Sequence, residues 1–118
     1  MLLLVAGCQQ SFDERLADEA RAFTLKHCPQ QLDDYTTLDS VKYDLATRTY
    51  RNYLTLDAAV PATLWDNLPL VKATLVHDLQ NNAKWNLARK KGVTFEYVYR
   101  GGRLGDFSVR ITPEDYGD

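Results

Sequence analysis

Most of the residues that announce a function are scarce in this chain. In 118 residues there are two histidines, two cysteines, four prolines, six glycines and one methionine. His27 and His77 have no second ligand at metal spacing, and neither accompanies a serine or cysteine in a recognisable nucleophile turn. Two cysteines allow one disulfide at most, so no disulfide framework holds the fold. Fourteen Lys and Arg against sixteen Asp and Glu leave a net charge of −2, which supplies none of the clustered cation that phosphate backbones require. Nucleic acid is therefore not an expected partner. Beyond the first residues no apolar run approaches the roughly 20 residues that cross a bilayer as a helix. There is no low-complexity stretch. What is present, 45% hydrophobic and 25% charged residues, is the composition of one ordinary folded domain with a modest core.

The start of the chain reads as an export signal. Met1 to Gln10, MLLLVAGCQQ, runs from apolar to small residues to Cys8 and then to polar chain. Leu4-Val5-Ala6-Gly7-Cys8 resembles the lipobox of bacterial lipoproteins, in which the signal is cut before a cysteine whose thiol carries a diacylglyceryl group. A complete secretory signal has a basic n-region and about 7 to 15 apolar residues, and Met1 to Gly7 supply neither. Residues 1–7 are thus expected to be a truncated lipoprotein signal remnant and 8–118 a single α+β domain on a short tether, 8–11. Acylation of Cys8 would anchor the domain to membrane lipid, each buried methylene adding ~0.8 kcal/mol. The competing readings are an apolar arm packed on the domain and a Cys8–Cys28 bridge across the first helix.

Periodicity predicts the order helix, hairpin, helix, hairpin. Ser11 and Glu14 form a capping box, Phe12, Leu16, Ala20 and Phe23 make an apolar stripe, and Lys26 and His27 sit where cations complement a helix C-terminus before Pro29. Thr36 to Tyr43, with Val41, Tyr43 and Leu45 on one face, and then Tyr50, Leu54 and Leu56 read as a first hairpin. A long helix is expected from about Asn67, its stripe running Leu68, Val71, Leu75, Leu79, Ala83 and Leu87 to a glycine cap at Gly92, with Asn81-Asn82 its weakest point. Val93, Phe95, Tyr97 and Tyr99, a Gly101-Gly102 turn, then Phe107, Val109 and Ile111 predict the second hairpin, followed by an acidic tail from Glu114. The expected fold class is α+β, a four-stranded antiparallel sheet with two helices packed on one face.

Few residues promise chemistry. His27 beside Cys28 reads as dipole complement and packed thiol, and His77-Asp78 as helix surface. Asp33-Asp34 and Glu114-Asp115 would need the fold to unite them before they could act as paired acids, and no EF-hand loop is present. Gly101-Gly102 between Arg100 and Arg103 leads into a strand, not into a helix as a phosphate cradle does. The basic run Lys84, Arg89, Lys90 and Lys91 reads as helix capping, with contact to anionic headgroups as the alternative. No catalytic residue, metal site or cofactor is expected. Seven tyrosines exceed what a small core needs, so Tyr50, Tyr53, Tyr97 and Tyr99, with Arg100, are the expected partner surface.

Cys28-Pro29, Asp34, Thr37-Leu38-Asp39-Ser40-Val41, Gly92-Val93-Thr94-Phe95 and the Tyr97-x-Tyr99 pair resemble a group of small bacterial envelope proteins without assigned activity. The resemblance implies export and carries over no functional residue. The expectation is a lipid-anchored protein of the cell envelope that binds or scaffolds another envelope protein or peptide without catalysis; a small hydrolase and an inhibitor or immunity-type protein are the alternatives. The latter would use a protruding loop, Asp44 to Thr49 or Arg100 to Gly105.

Overall fold

A computed structural model describes residues 11–61, 66–102 and 105–117. Cys8, the lipobox and Arg103 lie outside the described residues. Helix α1, Phe12–His27, starts as its sequence dictates: the Ser11 hydroxyl accepts from the Glu14 amide and the Glu14 carboxylate from the Ser11 amide, each at 3.1 Å. Leu16 and Ala20 are its buried residues. It ends at Cys28, whose amide donates to the Thr24 carbonyl ahead of a cis Cys28–Pro29 bond.

The chain then forms β1 (Gln30–Gln31), β2 (Thr36–Asp44) and β3 (Thr49–Leu56). Helix α2 (Leu68–Gln80), a 3-10 turn (Ala83–Trp85) and α3 (Asn86–Lys90) follow, and β4 (Thr94–Gly101), β5 (Phe107–Ile111) and α4 (Pro113–Tyr116) complete the described elements. The five strands make one sheet in the order β1-β2-β3-β4-β5.

The fold is α+β, but the expected four-stranded antiparallel sheet with two helices is wrong. There are five strands and four α-helices among the described residues, and the sheet is mixed: β3 and β4 run parallel, pairing Tyr50 with Phe95 and Leu54 with Tyr99. The connection explains this. A helix laid back along the sheet returns the chain to the end where β3 began, so a strand that then pairs with β3 must run in the same direction. β1 carries no strand pattern, because two glutamines show no alternation; it pairs antiparallel with Leu38 and Thr37. Leu45 does not continue the β2 face, because β2 ends at Asp44 and Leu45 stands exposed in the turn.

The long second helix is also broken. The Asn81 side chain donates to the His77 carbonyl at 2.8 Å and the Asn82 side chain accepts from the Lys84 amide at 3.0 Å, so both asparagines offer the backbone a local alternative to the helix. The rotation this introduces buries Ala88 and leaves Leu87 exposed. The acidic tail is instead α4, started by a Thr112/Asp115 capping box with Pro113 in its first turn. Its Tyr116 is buried, with the hydroxyl 2.9 Å from the Val93 carbonyl and the ring edge-on to Phe95.

One face of the sheet carries the core. Leu38, Leu54 and Tyr99 lie in register across it, as do Tyr43, Tyr50, Phe95 and Ile111, all buried beneath the helices. The opposite face carries Lys42, Arg51, Glu96 and Arg110 in one row and Ser40, Tyr53, Val98 and Ser108 in another.

Candidate functional site

Strand parity divides the expected tyrosine surface. Tyr50 and Tyr99 are buried on the helix side, and Tyr97 is half-buried and packed against the same core. Burial pushes the Tyr50 and Tyr99 hydroxyls up to about 12, reinforced by the charges of Glu19 and Asp33 respectively, and raises Tyr97 as well. Tyr53 and Arg100 stand on the other face. The structure therefore does not bring the five residues together as one surface: Tyr53 and Arg100 lie on the open face, and Tyr50, Tyr97 and Tyr99 on the packed one.

The open face is organised by ion pairs. Arg51 donates through Nε to Glu96 at 2.7 Å and through Nη1 to Asp44 at 3.2 Å. Arg100 and Thr55 both reach Asp39, at 3.3 and 2.5 Å. Arg51 and the amides of Ala46 and Thr47 hold the Asp44 carboxyl below the usual carboxylate range. Lys42 and Arg110, at the two ends of the Arg51–Glu96 row, have no ion-pair partner among the described residues.

Two grooves flank α1. One, of about 410 Å³, lies between α1 and the outer edge of β2 and is lined by Ala17, Thr24, Leu25, Val41, Tyr43 and Tyr53, with Arg21 and Lys42 among its charges. Leu25 is 86% exposed here. The Thr24 hydroxyl closes part of the strand edge, accepting from the Val41 amide at 2.9 Å and donating to its carbonyl at 3.0 Å. The other groove, of about 400 Å³, lies between α1 and the 3-10 turn and α3. Neither Leu25 nor the Lys84–Trp85 corner is evident from the sequence. Leu25 falls off the apolar stripe, and Trp85 gains its meaning only once Asn81-Asn82 break the helix.

The remaining candidates disperse. Asp33 and Asp34 lie in the β1–β2 loop and Glu114 on α4 beyond β5, so they flank opposite edges of a sheet whose outer strands are four spacings, about 19 Å, apart. That acid pair is not formed. Asp115 is committed to the Thr112 amide and to Lys72, which together lower its carboxyl. His77 bonds Asn81, and His27 lies against the Phe23 ring with centroids 4.9 Å apart. The Cys28 thiol is raised by burial and then by the charge of Asp39, which opposes a reactive thiolate. Neither groove is lined by Asp33, Asp34, His77 or Glu114. No group of three His, Cys, Asp or Glu suited to a metal ion occurs among the described residues. Gly101-Gly102 forms the β4–β5 turn, where a Cβ on Gly101 would stand 2.8 Å from the Leu56 carbonyl oxygen.

No curated protein matches the chain. Its fold is similar to the crystal structure of a Pseudomonas aeruginosa protein described, provisionally, as secreted, with a TM-score of 0.74 and 12% identity over 92% of this chain and 100% of that one. At that identity the likeness is one of fold. The family described as Domain of unknown function (DUF8479) matches residues 11–106, from the α1 cap through the β4–β5 turn, and the chain belongs to that family.

Proposed function

We propose that the chain is an envelope lipoprotein, anchored through acylated Cys8, whose folded part binds another envelope protein or peptide without chemistry of its own. The lipobox-like Leu4–Cys8 segment supports export, and the description of its Pseudomonas fold-mate as secreted agrees with it. The observation that carries the binding half is the groove along β2, where Leu25, 86% exposed, stands beside Tyr53 at the margin of the open sheet face. A leucine held in water next to an aromatic ring with a polar tip is the make-up of a contact surface. Lys42 and Arg110, unpaired on the adjoining face, favour a partner segment with an apolar anchor flanked by carboxylates.

Two measurements test the two halves. Mass spectrometry of the protein from its native membrane should find an acylated Cys8 at the N-terminus; an unmodified Cys8 behind Met1 refutes anchoring. A photo-crosslinking residue at Leu25 should trap one envelope partner in cells, and the Lys42→Glu variant should weaken that trapping. Crosslinks spread over many unrelated proteins, or unaffected by the charge reversal, refute the docking surface.

A further inference from the structure

The groove between α1 and the 3-10 turn differs in chemistry from the one along β2. Its floor is apolar and largely aromatic: Leu16, Phe23, Tyr50, Trp85 and Ala88, with Leu87 on the lip, 48% exposed. Trp85 is fixed edge-on against Tyr50 at 4.9 Å and against Phe95 at 5.3 Å between ring centroids, so this wall is built into the core. The rim carries Arg15, Lys26, His27 and Lys84 against a single carboxylate, Glu19. In a chain of net charge −2 this is a local reversal of sign. The Lys84 ammonium sits 5.1 Å from the Phe23 ring centroid and 5.0 Å from that of Trp85, which spans the two walls. Among the described residues no carboxylate forms an ion pair with Arg15, Lys26 or Lys84.

We infer that this groove binds a single-chain fatty acid carboxylate, its chain against Phe23, Leu16 and Trp85 and its head at Lys26 and Lys84. The volume, about 400 Å³, falls within the roughly 300–1,000 Å³ of small-ligand sites and holds one chain rather than a peptide helix. Arg15, Lys26 and Lys84 are exposed while Leu16, Tyr50 and Ala88 beneath them are buried, so charge lies above an apolar base, as a ligand with one charged end requires. The site lies between α1 and α3, apart from the β2 groove, so it stands or falls independently of protein docking there.

The test titrates the full 118-residue chain calorimetrically with sodium dodecanoate below its micellar concentration, beside dodecyltrimethylammonium and dodecyl maltoside. Dodecanoate should bind saturably at one per chain, and the other two about tenfold more weakly or worse, tenfold being the discrimination that 1.4 kcal/mol provides. Lys26→Gln with Lys84→Gln should weaken dodecanoate about tenfold and leave dodecyl maltoside unchanged. Leu87→Asp should abolish binding; if it unfolds the chain, the lysine variant, altered only at exposed side chains, still decides the matter. Equal binding of all three heads, no saturable binding, or indifference to the lysine changes overturns the inference. So does displacement of dodecanoate by an acidic peptide at lower concentration, or a dimer in sedimentation that Leu87→Asp splits. Those last outcomes assign the groove to a peptide or to a second copy.

Discussion

The two faces of the one sheet are stabilised by different physics. On the helix side Phe95 is 1% exposed and meets Tyr50, Trp85 and Tyr116, and the buried Tyr116 hydroxyl finds the Val93 backbone carbonyl. On the open side the equivalent row is Lys42, Arg51, Glu96 and Arg110, where water competes for every charge. Packing on the first face is specific and costly to disturb. The second rests on one partly solvated cation, Arg51, which bridges Glu96 and Asp44, and pairs open to water cost little to lose. A partner can therefore engage the open face without disturbing the fold, while the helix face has little freedom to adapt.

This contrast can be broken most severely at Phe95. Phe95→Ala should cost about 3–5 kcal/mol in urea denaturation, since it removes the ring on which three others converge. A loss below 1 kcal/mol would mean that the aromatic cluster does not organise the core. Next comes Tyr116→Phe, which keeps the ring and strips the Val93 carbonyl of its donor; about 1–3 kcal/mol is expected. Arg51→Met on the open face should cost no more than about 1 kcal/mol, because its carboxylate partners stay partly solvated. If Arg51→Met proves as damaging as Tyr116→Phe, the two faces are not distinct in the way described.

Acid and alkali separate the faces further. Tyr50 and Tyr99 are held neutral to about 12, above their ordinary value near 10, so their contribution is complete below pH 10 and is lost as pH rises through 12. Asp44 is shifted the other way: its contribution is complete above the ordinary carboxylate value and is lost as pH falls through its lowered one. Asp44→Asn should accordingly be less stable than the parent at pH 7, the gap closing as pH falls below the ordinary carboxylate value and through the lowered one. Tyr50→Phe should resist alkaline unfolding better than the parent, read from the phenolate absorbance. A gap for Asp44→Asn that is constant with pH would contradict the Arg51 pairing.

Local chemistry was legible in the sequence, and long-range geometry less so. The Ser11/Glu14 box and the weakness at Asn81-Asn82 depend on neighbours within four residues, the two hairpins on alternation along strands adjacent in the chain, and the structure has all of them. The parallel β3–β4 pair depends on where a helix returns the chain, a rule available from the connection alone but obscured by two hairpins that each looked self-sufficient. That the five expected surface residues cannot share one face was within reach of the sequence: positions 50 and 53 on one strand, and 99 and 100 on another, differ by odd numbers and must face opposite ways. Trp85 and Leu25 were not legible, since their exposure is set by packing between elements.

The parallel pairing also fixes where the two hairpins can reach. Because β3 and β4 point the same way, the Asp44–Thr49 turn sits where both strands begin and the Gly101–Phe107 turn where both end. An all-antiparallel sheet would have set the two turns side by side as a single rim. Here they are separated by the length of an eight-residue strand, about 26 Å. A compact target cannot be pinched between them, as a two-fingered inhibitor would require. Anything that touches both must lie lengthwise along the strands, which suits a long, extended partner and disfavours a knob.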